Sequence, residues 1–239
     1  MLGCYARAAI VGLVLAASPP AWADELADFN AAVEAAEAHS RVAIGYLRTG
    51  NGDLASLEIE RLRAAWARVP AVKRPPLFDG NALYTTTLTG ISARLVGADM
   101  MLNSGRLDAA RQALEAMRGE LYALRKSAGI VVLADCIYDA NKAAAAFMAY
   151  DTPELDLSKA GVAPAVAAQA KAYTDVLTRC DAVAGETVRR EPEFRRLIDD
   201  AMSELAKVSQ AIENRDTGQF RRIVSSLRAI DNLLAFRFG

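Results

Sequence analysis

Few residues in this chain are equipped for chemistry. It has three cysteines, Cys4, Cys136 and Cys180, and one histidine, His39. Cys136 interrupts the Ala-rich stretch "VVLADCIYDANKAAAAFMAYD", and Cys180 ends an apolar seam of Val166, Ala170, Tyr173 and Leu177. Neither belongs to a C-x-x-C pair and no histidine lies near either in sequence, so the usual redox, zinc and haem-attachment signatures are missing. Between them run the end of one helix, the connector "DTPELDLSKAGVAP", and most of a second helix with Pro164 in its first turn. In an antiparallel hairpin the two arms from connector to cysteine differ by only about 6 Å at the helical rise. Cys136 and Cys180 are therefore expected to form a structural disulfide.

His39 is the candidate hydrogen-bond acceptor, metal ligand or axial haem ligand. Its row on the first helix, Ala32, Ala35, His39, Val42 and Tyr46, contains Tyr46 but no carboxylate to orient the ring. A soft-metal site would need methionines such as Met100, Met101, Met117, Met148 or Met202 beside it; their scattered spacing suits core packing better. Arg189, Arg190, Arg195 and Arg196 in "VRREPEFRR" could face a phosphate, a carboxylate or an acidic partner, although Glu186, Glu191, Glu193, Asp199 and Asp200 interleave with them. Thr85, Thr86 and Thr89 in "YTTTLTG" could line a groove, or face water and bond back to the preceding turn. The connector acids Asp151, Glu154 and Asp156 lack the alternation and central Gly of a calcium loop. Phosphate-cradling loops, nucleophile elbows and paired metal motifs are absent from the sequence.

The elements that must position these residues are helices. Apolar residues recur at alternating steps of three and four along the chain, for example Phe29, Val33 and Ala36, Tyr84, Leu88, Ile91 and Leu95, or Phe220, Val224 and Leu227. This is the amphipathic helical period, and no stretch reads as a strand. Breakers at Gly50, "VPAVKRPPLFDG", Gly105, Gly129, 151–162, 185–192 and 216–218 predict about eight helices, with caps at Asp53, Asn81 and Glu191. The expected fold is all-α, antiparallel helical hairpins packed as a bundle or a short solenoid-like array. "LRTGNGDLASLEIERLR" and "LNSGRLDAARQALEAMR" align at Gly50 with Gly105 and Asp53 with Asp108. "IENRDTGQFRRIVSSLR" keeps Phe220, Val224, Leu227 and Arg228 in register but not the Gly. The offset exceeds the period of about 34 residues of tetratricopeptide repeats; a shared tight-turn chemistry accounts for the match.

The opening "MLGCYARAAIVGLVLAASPPAWADELADF" has Arg7, an apolar run from Ala8 to Ala17, a Pro pair and Ala21-Trp22-Ala23. This is the layout of a secretory signal peptide over 1–23, cleaved after Ala23, and the run is too short for a bilayer span of roughly 20 residues. Cys4 and Arg7 leave with it, which takes the formal charge of the chain from −1 to −2. Such a balance disfavours nucleic acid as a partner. Residues 24–239 then form one helical domain, with a possible sub-boundary near 185–192. The sequence thus reads as an exported periplasmic binding, adaptor or accessory protein, non-catalytic and without a cofactor, that meets a protein partner or small ligand. The alternative is a metal- or haem-handling bundle built on His39 with Met or carboxylate ligands.

Overall fold

Helical periodicity, punctuated by glycine and proline, produces helices throughout the computed structural model, which describes residues 21–239. The expected signal peptide falls outside the described residues except for its last three. The helices are α1 (Ala21–Arg48), α2 (Gly52–Trp66), α3 (Ala82–Asn103), α4 (Leu107–Ser127), α5 (Leu133–Met148), α6 (Val162–Val183), α7 (Glu186–Arg189), α8 (Pro192–Ala206), α9 (Val208–Glu213) and α10 (Thr217–Phe238). The all-α expectation holds, with no strand among the described residues. Two elements exceed the expected eight: α7 is a single turn, and the run from Pro192 divides at Lys207 into α8 and α9. Of the expected caps, Asn81 accepts from the Leu83 N–H at 3.0 Å. Asp53 does not cap α2, because Asn51 does so by accepting from Leu54 N–H at 3.2 Å. Glu191 occupies the cap position of α8 without a side-chain hydrogen bond.

The repeated segments share one turn. Gly50, Gly105 and Gly129 have φ of 75°, 72° and 68°. In each case the next residue's N–H reaches back five residues to a helix-end carbonyl: Asn51 to Tyr46, Arg106 to Met101 and Ile130 to Arg125, all at 2.9 Å. This is the Schellman closure, which satisfies carbonyls that the helix end would otherwise leave bare. The third sequence copy lacks the Gly and makes the same turn: Arg215 stands at the aligned position with φ 53°, and Asp216 N–H bonds Ala211 O at 2.8 Å.

Hairpins α1–α2, α3–α4 and α5–α6 pack antiparallel, α1 also packs on α4, and α10 lies against α5 and α8. Their buried faces form two apolar clusters. One, from α1–α4, contains Phe29, Ile59, Leu62, Trp66, Ile91 and Leu121, and the Pro-rich linker closes it by inserting Phe78 against Phe29 and Tyr84 at centroid distances of 5.3 and 5.0 Å. The other, from α5–α10, contains Phe147, Tyr173, Leu197 and Phe220. The change of cluster falls between Ile130 and Leu133, and Ala184 and Phe194 belong to one cluster. Cys136 of α5 and Cys180 of α6 form the expected disulfide inside the second cluster, Cα atoms 5.3 Å apart. Among the described residues no helix is long and apolar enough to cross a membrane.

Candidate functional site

Where the two clusters meet, α1, α4, α5 and α10 surround a cleft of about 370 Å³, within the range of small-molecule sites. Helical spacing explains the α1 contribution: Arg41 and Arg48 are two turns apart on one face, with Ile44 and Gly45 between them. Arg118 enters from α4, Tyr138, Asn141 and Lys142 from α5, and Asp231 and Phe236 from α10.

Its polar wall is a ladder whose direction is fixed by donor chemistry. Arg118 Nη1 donates to Asn141 Oδ1 at 2.8 Å, and Asn141 Nδ2 donates to Asp231 Oδ1 at 2.7 Å. A guanidinium only donates and a carboxylate only accepts, so the Asn141 amide must face this way. Tyr173 O–H donates to the same Asp231 oxygen at 3.5 Å. Burial pushes the Asp231 carboxyl above the usual carboxylate range, and burial beside that carboxylate raises the Tyr173 phenol. Burial also lowers the Arg118 guanidinium from the ordinary arginine value. Its Nε is buried without a partner among the described residues.

The rim is cationic. Lys142 Nζ stands 4.1 Å from the Tyr138 ring centroid and 4.7 Å from that of Tyr122, and forms no ion pair among the described residues. Arg48 contacts Glu115 Oε1 at 3.3 Å and Asn232 Oδ1 at 3.2 Å, but Glu115 is also held by Arg111 at 2.9 Å. Arg41 donates to the Gly239 carbonyl at 2.6 Å and to Glu34. Arg41 is thus neutralised by Glu34 and Arg48 shares Glu115, which leaves Arg118 and Lys142 as the basic side chains without an ion pair among the described residues, around a floor of Ile44, Ala145, Ala235 and the exposed ring of Phe236. No protein-family model, curated protein or solved structure matches this chain. The cleft must speak for itself: it offers an apolar surface for a hydrocarbon or aromatic body and surplus donors for an anionic group.

The residues singled out in the sequence lie elsewhere. His39 Nδ1 is 2.8 Å from Glu58 Oε2, so the orienting carboxylate missing from its own helix comes from α2, where Arg61 also binds Glu58. Tyr46 is half-buried at the margin of the α1–α4 cluster. Thr85, Thr86 and Thr89 are on the exposed face of α3, and Thr86 Oγ1 bonds back to Ala82 O at 3.1 Å. Arg189 closes the end of α6 by donating to the carbonyls of Asp181, Ala182 and Ala184. Arg195 pairs with Asp181 and Asp199, Arg196 with Asp200, and Arg190 with Glu186. None of these lines the cleft. Among the described residues no three His, Cys, Asp or Glu side chains gather as a metal site. Met117 is buried, and Met101, Met148 and Met202 pack against the clusters.

The cleft residues carry one sequence signal, the Asn141-Lys142 pair breaking an alanine-rich helix; nothing in the sequence separates Arg41, Arg118 and Asp231 from surface charges.

Proposed function

We propose that this chain is an exported, non-catalytic binding protein whose ligand is a small amphipathic organic anion held between its two helical layers. The observation that carries the reading is the cleft of α1, α4, α5 and α10, where Arg118 and Lys142 stand without an ion pair among the described residues, beside Arg41 and Arg48, around an apolar floor. The Cys136–Cys180 disulfide supports an oxidising compartment such as the periplasm, where such bonds persist. Non-catalytic action is supported by the ladder itself, since Asn141 and Tyr173 already engage Asp231 Oδ1.

Calorimetric titration with octanoate, and with octanol as its neutral counterpart, tests the proposal. Octanoate should bind saturably with one site and at least tenfold more tightly than octanol. Replacing Arg48 and Lys142 together by Gln should remove most of that preference. Equal binding of the alcohol, or an unchanged preference in the double variant, would overturn the anionic reading. For export, the mature protein recovered from the periplasm should begin at Asp24.

A further inference from the structure

A second cavity, of about 630 Å³, opens between α1, the start of α5 and the α7–α8 turn. Its chemistry is opposite to that of the anion cleft. Glu37, only 6% exposed, lies in its wall. Glu37 Oε2 accepts one long bond, 3.4 Å, from Arg125 Nη1, whereas Oε1 is buried with no partner among the described residues. Arg125 is committed to a different carboxylate: its Nε and Nη2 grip Asp135 at 2.6–3.0 Å. Two buried carboxylates thus share one guanidinium, and Glu37 is the one in excess. Asn30, two turns earlier on the same face of α1, brings a second buried acceptor without a partner, its Oδ1. Glu191 stands at the rim, and the only other cation in the wall, Arg237, is tied to Glu193 at 2.8 Å.

Buried acceptors left unpaired cost free energy that a donor with positive charge recovers. A divalent metal does not suit the site, because no three ligating side chains gather among the described residues and Arg125 bonds the other oxygen of the same carboxylate. A primary ammonium suits it, carrying one charge and three directional N–H donors. Val132, Leu133, Val188 and Phe238 give an attached alkyl chain an apolar wall.

We infer that this cavity binds the head of a primary alkylammonium ligand at the Glu37 carboxylate, with Asn30 in the same wall. The cavity shares no lining residue with the anion cleft, although Arg41 of that cleft is paired with Glu34 of this wall.

Titration calorimetry of the folded chain with n-butylammonium chloride tests it, with n-butanol and tetramethylammonium chloride as controls at matched ionic strength. Butylammonium should bind saturably and at least tenfold more tightly than either control, since the first control lacks charge and the second lacks N–H donors. Glu37→Gln should weaken it tenfold or more. Should Glu37→Gln fail to fold, Asn30→Ala, at a partly exposed position, must still weaken binding several-fold. No saturable binding, parity with either control, or unaltered affinity in a folded Glu37→Gln or Asn30→Ala variant overturns the site and leaves the cavity to water.

Discussion

Reducing the Cys136–Cys180 bond should separate the behaviour of the two helical layers. The bridge spans 44 residues of sequence and lies wholly within the α5–α10 cluster. Closing a loop of that length restricts the unfolded chain by about 13 cal/mol/K, or about 4 kcal/mol at room temperature. Cys180 is fully buried and Cys136 nearly so, so Cys136→Ala/Cys180→Ala is a cleaner probe than serine, which would bury hydroxyls. With a urea m-value of about 2 kcal/mol/M, the midpoint of the transition that contains α5–α10 should fall by about 2 M. Trp66 of α2 is 3% exposed, donates to Ser92 at 3.0 Å, and is the only tryptophan once residues 1–23 are removed. Its fluorescence reports on the α1–α4 layer, while far-ultraviolet circular dichroism reports on both. The double variant should lose ellipticity at lower urea than it loses the buried Trp66 signal, and each single Ala change should cost nearly as much as both. A midpoint shift worth less than about 1 kcal/mol, or Trp66 exposure that precedes the loss of helix, would refute this account of the bridge and of the division between layers.

Arg215→Gly should raise stability by about 0.5–1 kcal/mol in a urea titration: relief of a left-handed non-glycine residue, about 1–2 kcal/mol, exceeds the added unfolded-state entropy of glycine. Glu37 gives a pH signature. Burial holds its folded pKa above the ordinary 4.5, against the opposing pull of Arg125 and Arg41 and with Glu34 adding to the rise. Between 4.5 and that raised value the folded chain keeps a proton that the unfolded chain releases, so stability should fall as pH climbs through the window, by at most about 1.4 kcal/mol per pH unit from this group. Glu37→Gln should flatten the slope in part, because Asp231 and Asp135 are shifted the same way. His39→Ala should cost less than about 1 kcal/mol and leave octanoate affinity unchanged, since the pair with Glu58 is partly exposed and outside both cavities; a larger loss in either assay would assign His39 a role beyond that pair.

What the sequence determined by itself is what local interactions determine. Helical period, the turns at Gly50, Gly105 and Gly129, and the cap at Asn81 depend on contacts within about five residues, and these were legible. The disulfide was legible too, because the expected loss of Cys4 leaves two cysteines on arms of matching length. Even the third copy of the turn was in the pattern, but Arg215 hid it, since a non-glycine residue at positive φ carries no sequence mark. The tertiary structure alone decided which charges are surface and which are site. Arg41, Arg118, Asn141 and Asp231 come from four helices, and each reads in its own helix as an ordinary polar residue. Glu37, Arg125 and Asp135 become one buried group only when α1, α4 and α5 converge. Periodicity reports which face of a helix turns inward; it says nothing of which face of another helix it meets, and the electrostatics of both cavities are set by those meetings.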